Sequence, residues 1–280
     1  MDRRAFLGLL GAGTAVFVLD GCGGSGLNLV VVPNDWDFFA GQPYRLSILL
    51  ANNAKSGAPV VMDAPVILRV GPHGGQLGPP IKMEVHSVGS EGQPDYALTT
   101  YTFPAPGTYD LEVRFKGHTA TTPQPVTEPS ASASPVVGQK MISVPTPTVA
   151  DHLGVNPYCT QQPPCPFHET SLDVALRAGQ PVALQFATPA LCQSRYCGPV
   201  LENLEAVSRG WAGKVTFIHC EIYTNLTGAT STKPVQAYNL QHEPLLYLSN
   251  SSGVIVDRID NLYDQVEART VLTQAFGPAA

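Results

Sequence analysis

From Leu27 to His118, apolar and polar residues alternate with the period of two that a half-buried strand requires. Leu27–Val32, Tyr44–Leu50, Val66–Val70, Ile81–His86, Ala97–Phe103 and Thr108–Lys116 each read as a strand. The last run shows why. Tyr109, Leu111, Val113 and Phe115 share one face, and Asp110, Glu112, Arg114 and Lys116 share the other. Turn formers separate the runs: Ala40-Gly41-Gln42-Pro43, Gly71-Pro72-His73-Gly74-Gly75 and Pro104-Ala105-Pro106-Gly107. The pattern predicts an all-β sandwich over residues 27–118.

From Asp151 the rhythm changes to alternating helix and strand. Ser171–Ala178 reads as a short helix and Val182–Ala187 as a continuous apolar, buried strand. Pro199–Trp211 is a helix, because Val200, Leu204, Val207 and Trp211 recur at helical spacing. Val215–Ile222 is a strand and Val235–Tyr238 a helical turn. Leu245–Leu248 and Val254–Ile259 form a hairpin about Ser249–Gly253, and Leu262–Phe276 is a closing helix.

Composition refines this division. Gly and Pro number 26 each, which disfavours long helices. Pro123, Pro125, Pro129, Pro135, Pro145 and Pro147 are interleaved with Ser, Thr and Ala, so residues 119–150 read as an extended inter-domain linker. Hydrophobic residues are 44% of the chain, which excludes a wholly disordered protein. The net charge of −6 argues against a nucleic-acid partner. His73, His86, His118, Met62 and Met83 lack metal-site spacing and read as ordinary surface or core residues.

The first 21 residues read as an export signal. Arg3-Arg4 precedes an apolar run, Leu7–Leu19, that is shorter than the roughly 20 residues needed to cross a bilayer. Arg3-Arg4-Ala5-Phe6-Leu7 resembles a twin-arginine signal. Leu19-Asp20-Gly21-Cys22 resembles a bacterial lipobox, which implies that Cys22 carries lipid. The expected location is extracytoplasmic, anchored to the membrane through that lipid.

The chain has six cysteines, and an exported protein pairs such residues in disulfides. Cys192 and Cys197 cannot face each other on one regular helix, since five steps of about 100° leave them about 140° apart. Cys192 is therefore expected in a loop and Cys197 at a helix start, with Gly198 near the N-cap and Pro199 at the first helical position. Helix N–H groups favour a thiolate, which points to Cys197 as the nucleophile. Cys159 and Cys165 enclose a tight Pro-containing loop and are expected to form a structural disulfide. A zinc site using His168 would need a fourth ligand that the sequence does not indicate. Cys220 reads as a small buried hydrophobe.

The order β-α-β-α-β-β-α with cysteines after its first strand is similar to the thioredoxin fold, over about Gly179–Phe276. Gln185-Phe186-Ala187-Thr188-Pro189-Ala190-Leu191-Cys192 and Cys197-Gly198-Pro199 stand where thioredoxins carry their active-site segment. Glu243-Pro244-Leu245-Leu246 resembles the segment holding the family's cis-proline. The whole chain resembles exported bacterial lipoproteins with an immunoglobulin-like sandwich ahead of a thioredoxin-like α/β domain, 151–280. The sandwich lacks the antibody-type disulfide, having no Cys between residues 27 and 118.

The resemblance implies a thiol–disulfide oxidoreductase that needs no cofactor and acts on protein thiols or disulfides outside the cytoplasm. It places the attacking thiol at Cys192, and Pro244 in the groove that holds the partner chain. The pair is spaced C-x4-C rather than C-x2-C, and Gln185 stands where many thioredoxins have a buried Asp. Glu243 is the candidate proton-transfer group in its place; an acid shielding a strand edge is the alternative. A copper chaperone similar to Sco proteins, with Cys192, Cys197 and His242 or His219 as ligands, is a second expectation. A non-catalytic binding module with an inert Cys192–Cys197 staple is the third.

Overall fold

A computed structural model of the protein describes residues 26–89 and 93–280, so the expected export signal and Cys22 lie outside the described residues. The chain divides into two compact units between Ser132 and Ala133. No helix among the described residues is long and apolar enough to cross a membrane.

The N-terminal unit contains two sheets. One has the order β1 (Leu29–Pro33), β2 (Tyr44–Asn52), β7 (Asp95–Tyr101), β6 (Glu84–Ser87), with β3 (Ala58–Pro59) beside β2. The other runs β5 (Ile81–Lys82), β4 (Ile67–Pro72), β8 (Gly107–Phe115), β9 (His118–Val126). All their pairings are antiparallel. The alternating faces meet in one core, with Leu46, Ile48 and Leu50 of the first sheet and Leu68, Val70, Leu111, Val113 and Phe115 of the second. The Tyr109 hydroxyl donates to the Ala105 carbonyl at 2.9 Å, pinning the turn before β8. Met62 and Met83 lie in the core, His86 stacks on Tyr96 at 5.1 Å, and His73 pairs with Asp110 at 2.8 Å.

Two expectations need correction here. Ile81–His86 is not one strand: β5 pairs with β4, β6 pairs with β7, and the chain changes sheet at the buried Met83. The simple alternation fails at that crossing, leaving Val85 exposed and His86 buried. Residues 119–150 are not an extended linker. His118–Val126 is an edge strand on β8. Pro123 and Pro125 are two positions apart, so both turn their missing N–H to the same open side, and an edge strand tolerates them there. Residues 133–150 belong to the C-terminal unit. Ile255 N–H donates to Gln139 at 2.8 Å, and Met141 is buried among Leu172, Val182 and Ile255.

The C-terminal unit runs α1 (Leu172–Arg177), β10 (Val182–Phe186), α2 (Cys197–Ser208), β11 (Thr216–Cys220), α3 (Lys233–Ala237), β12 (Leu245–Ser249), β13 (Ile255–Asp260), α4 (Gln265–Phe276). Its sheet order is β11-β10-β12-β13, parallel between β10 and β11 and antiparallel elsewhere. Strand parity divides the side chains. Leu184, Phe186, Ile218, Cys220, Leu245 and Tyr247 form a core with Leu172 and Ala175 of α1 and Val235 of α3. Gln185 and His219, partners in the β10–β11 register, point to the other face. There α2 packs on α4, and α4 lies against β12 and β13. Helices thus cover both faces of the sheet, and the carboxyl ends of β10 and β11 open at one edge.

Candidate functional site

Strand β10 delivers the chain to a short loop, 187–196, and α2 begins at Cys197 rather than at Pro199, with Tyr196 at the N-cap. Cys192 is half-buried in the loop, while Cys197 is fully buried on the first helical turn. Although Cys192 lies outside the helix, its sulfur takes the helix's free N–H: Cys197 N–H donates to Cys192 Sγ at 3.4 Å. Ser194 Oγ lies 3.2 Å from the same sulfur. The Cys197 thiol first, then Ser194 and the N–H groups of Cys197 and Tyr196, pull Cys192 down to about 6. Burial, and then the Cys192 sulfur, push Cys197 well above the ordinary thiol range.

A third group completes the site. The Glu243–Pro244 peptide is cis and immediately precedes β12. A Glu243 carboxylate oxygen and the sulfurs of Cys192 and Cys197 all lie within 4.8 Å of one another. Glu243 Oε2 is buried with no hydrogen-bond partner. Burial, and secondarily the Cys192 sulfur, push its carboxyl up to about 8, so it carries a proton at neutral pH. Gln185 is excluded from acid–base work by its bonding as well as its chemistry. Its amide donates to the Leu245 carbonyl at 3.2 Å and accepts from the Tyr263 hydroxyl at 2.6 Å.

A scan against known protein-family models finds no match for this chain. A search of the curated proteins finds none either.

Of the residues expected to bind copper, Cys192 and Cys197 stand together, while the two candidate histidines group with other residues. His242 lies 3.9 Å from Asp260, and His219 belongs to another cluster on the sheet's opposite side from the Cys220 core. In that second cluster Cys159 and Cys165, expected as a disulfide, are free thiols with sulfurs 3.8 Å apart. His219 Nδ1 lies 3.7 Å from Cys159 Sγ, 3.3 Å from Cys165 Sγ and 3.1 Å from His168 Nε2. All four residues are buried. Hydrogen bonding from the Cys165 thiol, then from His168 and His219, holds Cys159 well below the ordinary thiol range, while Cys165 is pushed far up by the Cys159 sulfur and by burial. Burial would lower His219, but the Cys159 sulfur and the Glu221 carboxylate outweigh it and hold the imidazole above its usual value. The loop contribution, Cys159, Cys165 and His168, was visible as a sequence cluster; His219 reaches it only through the pairing of β11 with β10 and with residue 167.

Proposed function

We propose that the C-terminal unit is a thioredoxin-like domain carrying out thiol–disulfide exchange at Cys192 and Cys197, outside the cytoplasm and tethered through lipid on Cys22. The strand order β11-β10-β12-β13 with β10 and β11 parallel supports the fold reading. The order of the other unit supports an immunoglobulin-like sandwich, as does the Tyr109–Ala105 corner, and its role in this reading is that of a spacer or docking module.

One observation carries the chemistry: a half-exposed sulfur on a helix N–H, a buried second thiol, and an orphan carboxyl within 4.8 Å of both sulfurs. The Cys192 thiolate attacks one sulfur of a partner disulfide. A mixed disulfide forms, and the partner's other sulfur leaves with its electron pair, taking the Glu243 proton. The Cys197 thiol then gives its proton to the Glu243 carboxylate and attacks Cys192 Sγ. The second partner sulfur leaves, the partner is reduced by two electrons, and the Cys192–Cys197 dithiol is oxidised to a disulfide. Run in reverse, the same steps oxidise a partner dithiol. Pro244, buried beside the pair, shapes the groove for the partner chain.

The test is trapping. Cys197→Ser is expected to accumulate mixed disulfides through Cys192, and Cys192→Ser to accumulate none. Equal trapping by both variants, or by neither, contradicts the assignment.

A further inference from the structure

The four donors of the second cluster take no part in this exchange, and their arrangement asks for a different occupant. We propose that Cys159, Cys165, His168 and His219 form a closed, structural tetrahedral zinc site.

Four of the six distances among the donors are close to the edges of a coordination tetrahedron, and the remaining two are within 4.8 Å. Zinc–sulfur bonds of about 2.3 Å and zinc–nitrogen bonds of about 2.05 Å set the edges at about 3.8 Å for S–S, about 3.5 Å for S–N and about 3.3 Å for N–N. The corresponding separations here are 3.8 Å for the sulfurs, 3.7 and 3.3 Å from sulfur to His219 Nδ1, and 3.1 Å between the imidazoles. A bonded cystine would hold its sulfurs at about 2.05 Å.

The imidazoles are also oriented from behind. His219 Nε2 lies 3.1 Å from the Ala187 carbonyl oxygen, with Glu221 Oε1 at 3.9 Å. His168 Nδ1 lies 3.5 Å from the Pro147 carbonyl oxygen. A carbonyl accepts only, so each outer nitrogen carries a proton, and in the neutral imidazole the inner nitrogen is the one left to ligate a metal. The two inner nitrogens stand 3.1 Å apart in a buried site beside two sulfurs. One cation among them would be bound by all four donors.

Charge and softness select the ion. Zinc binds two thiolates and two neutral imidazoles, so the cluster's protons leave as it binds, and its two positive charges cancel the two thiolates, leaving a neutral cluster suited to full burial. No oxidant or reductant is needed. Two sulfurs and two imidazoles fit tetrahedral zinc, and four protein ligands leave no open position for a substrate.

Three ligands come from one loop and the fourth from β11, which is the edge of its sheet. The metal would clip that loop to the edge, where His219 N–H already donates to the Phe167 carbonyl at 3.0 Å. The clip extends toward the reactive loop: Thr160 N–H donates to Glu221 at 2.6 Å, and Thr160 Oγ1 accepts from Ala190 N–H at 3.1 Å, two residues before Cys192.

The test is elemental analysis of the full chain, purified without chelator from zinc-supplemented medium. One zinc per chain is expected. The double variant Cys192→Ser, Cys197→Ser should keep it, and Cys165→Ser and His219→Gln should lose it. Because a ligand variant can fail to fold, the unaltered chain is also exchanged with cobalt. The visible bands and thiolate charge-transfer band of a tetrahedral S2N2 site are expected. Absence of bound metal, preference for copper, loss of zinc from the double variant, or a Cys159–Cys165 disulfide found by mass after alkylation would each overturn the site.

Discussion

The two sulfur clusters of the C-terminal unit use the same residue type to opposite ends. At Cys192 the pair is unequal: one sulfur is half-exposed on a helix N–H, the other is buried, and an uncompensated carboxyl stands beside both. At Cys159 everything is buried, both imidazoles are braced by carbonyls, and all four donors converge. An open, asymmetric pair can be attacked and resolved. A closed, four-donor set can only hold something. The lesson is that a cysteine's chemistry is set by access and by what shares its cavity, and spacing alone, x4 in one pair and x5 in the other, does not separate the two.

The largest expected difference between the clusters is in stability. Cys165→Ser should cost about 3–5 kcal/mol by leaving buried partners unmatched, roughly 10 °C in the melting temperature of a unit this size. Cys197→Ser should cost only about 1 kcal/mol. Thermal scans of the full chain measure both, and equal losses would erase the contrast. A smaller effect separates Glu243 from a bystander. Cys192 is ionised above about pH 6, and Glu243 keeps its proton below about pH 8. Exchange should therefore rise through pH 6 and fall above pH 8. Glu243→Gln should lower the neutral rate by about 100-fold and remove the alkaline limb. A variant profile that superimposes on the parent's would show that no proton passes through Glu243.

Much of this was legible in the sequence where function and element boundaries coincide. Tyr109 to Phe115 shows its strand by alternation, and its two faces are those of the structure. Cys192, Cys197, Glu243 and Pro244 stand at the ends of β10 and β12 and at the start of α2, so hydrophobic periodicity brought them together. Proline misdirected the reading of residues 119–126, because an edge strand accepts it where a central strand would not. The sheet change at Met83 was hidden because one alternating run serves two sheets. The helix start was misplaced by two residues, which obscured that the α2 N–H reaches back to Cys192. The second cluster was half-visible: His168 stands three residues after Cys165, but His219 lies 51 residues further on and arrives through strand register alone.

The central claim is that Cys192 and Cys197 are a redox couple and not a staple. The most direct measurement is to equilibrate the full chain in glutathione buffers of graded potential and read the pair's oxidation by alkylation and mass. The account predicts a reversible two-electron transition between about −120 and −270 mV, the range of exchange-active dithiols. A pair that stays oxidised below about −300 mV, as structural disulfides do, or that never forms a disulfide, would contradict it.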